Sequence, residues 1–176
     1  LTQLGAHFVF APTAEEMYSS EELNTSFSFD FNGLDQVMEG KMRPGHFNGV
    51  VQVVSRLFDL VKPTRAYFGE KDFQQLAIIR HMVTTSSLAQ QYTNLQIIGC
   101  PIVREDSGLA LSSRNQRLSE TEKQTAVAIS QTLFTSLKWA ETDTVANVQQ
   151  RVIDTINAIN GLEVEYYEIV DRTTLQ

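Results

Sequence analysis

A chain of 176 residues, 42% hydrophobic and 20% charged, is long enough to bury one ordinary core or two small ones. Its 14 Lys and Arg against 21 Asp and Glu leave a net charge of −7 and an isoelectric point near 4.9. That argues against nucleic acid or an anionic membrane as partner, since both call for a net positive field. The single cysteine, Cys100, excludes an internal disulfide, and His7, His46 and His81 stand too far apart for zinc-ligand spacing, so no metal ligand is assigned. A reduced, cytoplasmic setting fits: there is no apolar run near the length of a membrane span and no basic-then-apolar leader.

Charge is distributed unevenly. Residues 1–40 carry seven acids and neither Lys nor Arg, residues 41–117 carry ten bases against five acids, and residues 118–176 carry four bases against nine acids. The acidic chain thus has a basic middle, a pattern that a solvated face would also produce.

In chain order, Leu1-Thr-Gln-Leu4-Gly5 reads as the last turn of a helix closed by glycine. His7 to Pro12 is a short apolar run stopped by proline, as a buried parallel strand would be. Thr13 and Glu16 form a capping box that starts a short helix. Thr25 to Phe31 alternates Phe27, Phe29 and Phe31 with polar residues and ends at Asn32-Gly33, which predicts a half-buried strand. With no basic residue close by, those rings belong to a core and not to a base-stacking platform.

Helical spacing runs from Asn48 through Val61 and stops at Lys62-Pro63. Arg65 to Phe68 is short enough for a buried strand, Gly69-Glu70-Lys71-Asp72 follows it, and Phe73, Leu76, Ile79, Met82 and Val83 resume the helical period. Leu95 to Cys100 is another strand, so the order is that of an α/β layer with a right-handed parallel crossover. After Pro101 the character changes. Residues 104–117 form a polar, glycine-containing loop, and Ser119 with Glu122 makes a second capping box. Helices of roughly 20 and 16 residues follow, the second closed by Gly161, and then an extended Val164 to Val170. A domain boundary is placed near Val103.

Three clusters could carry chemistry. Gly69 to Asp72 stands where a parallel strand opens onto a helix N-terminus, a place that favours anions; Lys71 would add a point charge for a phosphate, and Gln75 an amide about one turn on. An exposed charged turn is the other reading. Ser112-Ser113-Arg114 offers two hydroxyls and a guanidinium suited to phosphate oxygens, or else a serine-stabilised turn. Arg43-Pro44-Gly45-His46-Phe47 offers a histidine for proton or ligand chemistry, or a Pro-Gly turn with an incidental His46.

Taken together, these segments resemble the pantothenate synthetase (pantoate–beta-alanine ligase) family. The resemblance is carried by Met38-Glu39-Gly40, Arg43-Pro-Gly-His-Phe47-Asn-Gly49-Val50, Phe68-Gly-Glu-Lys-Asp72-Phe-Gln-Gln75-Leu76, Ile79-Arg80 and Gly108-Leu-Ala-Leu-Ser-Ser-Arg-Asn115. It extends to Phe8-Val-Phe-Ala-Pro12, Glu16-Met17-Tyr18 and Tyr167-Glu168-Ile169, nearly the whole chain. It implies an incomplete Rossmann-like nucleotidyltransferase parallel sheet over residues 1–103, followed by a small α+β C-terminal lid domain over 104–176. It also implies ATP-dependent condensation of pantoate with beta-alanine through a pantoyl adenylate, with Mg²⁺ and a homodimeric assembly. ATP contacts then fall on Gly69, Glu70, Lys71, Asp72, Val103, Leu111, Ser112, Ser113 and Arg114, and the pantoate contact on Gln75. Lys71 and Arg114 become the catalytic cations.

Three family features have no counterpart here: the Pro-Thr-Met-Gly turn with His-x-Gly-His, the Phe-Val-Asn-Pro-x-Gln segment, and an Asp where this chain has Ser107. His46 lies in a different motif and does not replace the first. The chain therefore reads as an internal or C-terminal piece, inactive alone and prone to self-association through uncovered apolar faces. The competing reading is a non-catalytic nucleotide-binding or interaction module that kept the motif residues.

Overall fold

In a computed structural model, residues 2–19, 27–85 and 87–176 are described. Two parallel strands form the centre. β1 (Arg65–Gly69) pairs with β2 (Gln96–Cys100) in a register running from Arg65 opposite Gln96 to Gly69 opposite Cys100. The crossover between them contains helix α4 (Phe73–Thr84), and helix α3 (His46–Val61) precedes β1. In chain order, the shorter α1 (Ala14–Met17) and α2 (Met38–Met42) come before these.

The ends of α3 follow from its flanking residues. Gly45, at φ 79°, turns the chain so that the helix starts at His46, and Pro63 keeps Lys62 out of the helical region, leaving it at φ 48°. One face of α3 meets one face of α4 through Phe47, Val51, Phe58, Ile78, Ile79 and Met82, all buried. Ala66 and Phe68 of β1 pack onto this cluster, Phe68 meeting Phe58 edge to face at 6.3 Å. The opposite face of β1 is open, with Tyr67 62% exposed. The expectation of a buried β1 is corrected accordingly: the strand is covered on one face only, because α3 and α4 occupy that face.

A second correction concerns His7 to Pro12. The segment makes no strand, and Phe8 is 94% exposed. An apolar run ended by proline specifies extended chain but supplies no neighbour, and no described backbone lies beside it to complete a ladder. Residues 27–31 also lack ladder pairing among the described residues, although Phe27, Phe29 and Phe31 do face the core while Ser28 and Asp30 face out. Asn32 and Gly33, both at positive φ, then reverse the chain with the Leu34 N–H donating to the Phe31 carbonyl at 3.1 Å. Leu1, Thr25 and Ser26, included in two of the predicted elements, lie outside the described residues.

Beyond β2, α5 (Glu120–Trp139) begins at the expected capping box: Ser119 Oγ accepts the Glu122 N–H and Glu122 accepts the Ser119 N–H. α6 (Val145–Asn157) is shorter than expected, since Asn157 turns its side chain onward to accept the Val164 N–H at 2.7 Å and the chain leaves the helix there. Val148, Val152 and Ile156 of α6 pack with Leu133 and Trp139 of α5 into a second cluster. Val164 to Val170 has no ladder partner among the described residues. The C-terminal turn returns to the first cluster, where Leu175 is buried.

Candidate functional site

The site is built at the carboxyl ends of the two strands. Gly69 closes β1 in ordinary extended conformation, and Glu70, Lys71 and Asp72 make one 3-10 turn that runs directly into α4. No side chain caps the start of α4. Lys71 Nζ lies 3.4 Å from the exposed Asp72 carboxylate, a contact too long and too wet to neutralise it. Glu70 turns toward β2: a methyl on Gly99 would come within 3.2 Å of its Oε1 and 3.0 Å of Arg80 Nη2.

The second wall follows β2. Arg104 and Ala110 form an antiparallel bridge, the Gly108 N–H donates to Glu105, and the Leu111 N–H donates to the Val103 carbonyl at 2.9 Å. Gly108 sits at φ 96°, and a Cβ there would lie 3.1 Å from Ser130 Oγ, so this small hairpin rests flat on α5. Ser107 accepts the Leu109 N–H at 3.3 Å, which is the turn-stabilising role a short acidic side chain would also play. Past the hairpin, Ser112 Oγ accepts the Arg114 N–H and caps the 3-10 turn Ser113–Arg117, while Asn115 Nδ2 donates to the Ala110 carbonyl at 3.0 Å.

Between the two walls lies a cavity of about 370 Å³. Lys71 lines it from the β1 side, Arg104, Ser112, Arg114 and Asn115 from the β2 side, and Ala126, Ile129 and Leu133 of α5 close it. Among the described residues, three cations and no carboxylate line this space. Such a lining attracts polyanions, and its apolar side raises the strength of each charge interaction.

Not every expected residue comes to this cavity. Lys71, Ser112 and Arg114 line it; Gly69, Glu70, Asp72, Val103, Leu111 and Ser113 belong to its flanking turns, and Gln75 sits half-buried one turn along α4. His46 is the first residue of α3, its ring 5.0 Å from Phe47, and does not line the cavity. Its neighbours Arg43, Pro44 and Gly45 border a separate cleft of about 340 Å³. Larger clefts beside Arg80 and beside Tyr92, about 600 and 710 Å³, gather none of the expected ATP or pantoate contacts. Arg104 was not singled out by the motifs, and Gln74, which stands in the Phe-Gln-Gln75 run, was given no role of its own. Gln74 could have been found from its helical row, since it precedes the fully buried Ile78 and Met82 by four and eight positions.

A parallel strand–helix–strand unit with a cationic cavity at the carboxyl ends of its strands places the molecule among Rossmann-like α/β folds. Its whole length, residues 1–176, matches the family model described as pantoate-beta-alanine ligase. The chain belongs to that family. It is 57% identical over 176 residues to a pantothenate synthetase of Phocaeicola vulgatus and 48% identical to one of Porphyromonas gingivalis. All of this chain is matched in each case, against 60% of the relative, so the chain spans about 60% of the length of the curated relatives it matches. Among solved structures it resembles pantothenate synthetase from Thermus thermophilus, with a TM-score of 0.88 and 38% identity over 99% of this chain and 61% of that one. A pantoate-beta-alanine ligase from Francisella tularensis, complexed with beta-gamma ATP and beta-alanine, matches at TM-score 0.59 and 33% identity over 78% of this chain and 48% of that one. Among the described residues, no helix is long and apolar enough to cross a membrane.

Proposed function

We propose that the protein containing this chain joins pantoate to beta-alanine at the expense of ATP, and that the Lys71–Arg114 cavity holds the triphosphate. The observation that carries the reading is that Lys71, Ser112 and Arg114, some forty positions apart in sequence, line one cavity that no carboxylate of the described residues enters. Support comes from the family membership and from the ATP and beta-alanine in the Francisella tularensis relative. In this reading residues 1–103 form the ATP- and pantoate-binding domain and residues 104–176 the part that covers the nucleotide.

The chemistry then follows from charge. The pantoate carboxylate attacks the α-phosphorus, forming a pantoyl adenylate as pyrophosphate leaves. Two anions must approach while negative charge grows on the phosphoryl oxygens. Lys71 and Arg114, placed at the cavity wall by the turns that carry them, stabilise that charge. Arg114 is available for this work, because its guanidinium has no hydrogen-bond or ion-pair partner among the described residues. Ser112 Oγ accepts from the Arg114 N–H and keeps its own proton free to donate to a phosphate oxygen. Gly69, in a turn that flanks the cavity, has open space where a side chain would stand, which allows a ligand to come close to the backbone. In the second step the beta-alanine amine attacks the acyl carbon, AMP leaves and the amine gives up a proton. Gln75 would hold a pantoate oxygen through its amide.

Mg²⁺ would neutralise phosphate charge when present. Among the described residues no three His, Cys, Asp or Glu side chains cluster, which suits an ion carried in by the triphosphate and its waters and not a protein cage.

The test is product identity. The full-length protein should form pantothenate, AMP and pyrophosphate, releasing pyrophosphate when given pantoate and ATP before any beta-alanine is added. Formation of ADP and phosphate instead would exclude the adenylate route. The 176 residues by themselves should form no pantothenate, and detecting it from the purified chain would refute that part of the reading.

A further inference from the structure

We infer that Arg104 is a positioning residue, acting through Phe134 and the Gly108 carbonyl to hold Ser112 and Arg114 toward Lys71. The inference rests on the reading of the cavity as a phosphate site.

Arg104 stands at the start of the hairpin that precedes Ser112. Its Nη1 donates to the Gly108 carbonyl at 3.0 Å, closing the hairpin from within, and its guanidinium carbon lies 5.2 Å from the centroid of the Phe134 ring. Phe134 follows Ser130 by four positions on α5, and Ser130 is the residue on which Gly108 rests. Both contacts therefore lie on one stripe of the helix. Phe134 is 57% exposed and does not line the cavity, so its contact with Arg104 is separate from any ligand contact.

From the hairpin the geometry passes directly to the ligand groups. Ala110 is bridged to Arg104 on one side and accepts the Asn115 amide on the other, and Ser112 and Arg114 lie between these two ties. Without Arg104 the hairpin would keep its backbone bonds and the Gly108–Ser130 contact but lose the tie to Phe134 that holds it laterally on α5. Ser112 and Arg114 would then wander relative to Lys71, which is fixed on a different element. Arginine suits this task and lysine does not: a planar guanidinium can stack on a ring while donating in its own plane.

The experiment uses the full-length protein, with the dissociation constant of ATP from titration calorimetry and the KM for pantoate from turnover. Arg104→Ala should weaken ATP about tenfold and Phe134→Leu about threefold, while the pantoate KM stays within about twofold of wild type. The double variant should be no worse than Arg104→Ala, since both remove one interaction. Arg104→Lys should fall nearer to Arg104→Ala than to wild type. Phe134 is a surface residue, so Phe134→Leu reports even if Arg104→Ala folds poorly. Unchanged ATP affinity in both single variants would overturn the inference. So would effects that multiply in the double variant, or a lower kcat with ATP affinity and pantoate KM unchanged, the signature of a smaller folded fraction. If Lys71→Ala leaves ATP affinity and turnover intact, the phosphate reading itself fails and this inference goes with it. If Lys71→Ala is inactive while Arg104→Ala binds ATP normally, only the role of Arg104 is lost.

Discussion

Gln74 Oε1 accepts the Gly40 N–H at 3.3 Å, while the same side chain, 4% exposed, donates from Nε2 to the Leu34 and Val37 carbonyls at 2.7 Å each. One buried amide thus clamps the 34–40 segment to the first turn of α4, and Gly40 is held so close that a methyl there would overlap the Asp35 carbonyl. Its neighbour Gln75 points elsewhere and is half-buried. The two glutamines should separate cleanly in experiment. Gln74→Met should cost about 2–3 kcal/mol in urea unfolding, because buried carbonyls and an N–H lose their partner. Gln75→Met should stay within about 0.5 kcal/mol yet raise the pantoate KM of the full-length protein about tenfold or more. Equal unfolding costs would contradict the assignment.

Tyr92 gives the fold an alkaline limit. Its hydroxyl donates to Asp59 Oδ1 at 3.2 Å and reaches the Ser55 carbonyl at 3.4 Å. Burial first, and then the Asp59 carboxylate, push the phenol well above the ordinary tyrosine range. Since the folded-state value is the higher one, its stabilisation is complete below the unfolded value near about 10 and is lost as pH rises through the folded value. Stability followed by circular dichroism should therefore fall above about pH 10, and Tyr92→Phe should flatten that fall while lowering the midpoint at neutral pH. An unaltered alkaline limb would count against it.

The apolar residues left uncovered at the N-terminal end should make the 176-residue chain associate with itself. Phe8, Val9 and Phe10 are all exposed on an extended segment with no ladder partner among the described residues, a surface that other chains can cover. Sedimentation velocity at micromolar concentration should show dimers or larger species, and Phe8→Ser with Phe10→Ser should shift the population toward monomer. A wild-type chain that sediments as a monomer would contradict this.

How much of this could be read beforehand depends on how local each cause is. β1, β2, α3 and α4 were legible because periodicity, Gly45, Lys62-Pro63 and the short apolar runs act within a few residues. Both capping boxes were legible for the same reason. The coverage of β1 and the fate of His7 to Pro12 were not, since burial and pairing depend on what lies alongside, which a run of apolar residues does not state. The cavity shows the same division. Lys71 and Ser-Ser-Arg were each recognisable as anion-binding candidates, but spacing alone could not bring residues some forty apart to one cavity; only the family resemblance joined them. Arg104 was hidden because its partner, Phe134, lies thirty positions away and an arginine in a polar loop looks like any solvated charge.

The measurement that bears most directly on the cavity is pantoate-dependent pyrophosphate release by the full-length protein carrying Lys71→Ala. If Lys71 faces the triphosphate as proposed, release should fall about a hundredfold or more, with the thermal unfolding midpoint unchanged because Lys71 is exposed and, among the described residues, makes no polar contact beyond the 3.4 Å approach to Asp72. Release at the wild-type rate would contradict the placement of the phosphates between Lys71 and Arg114.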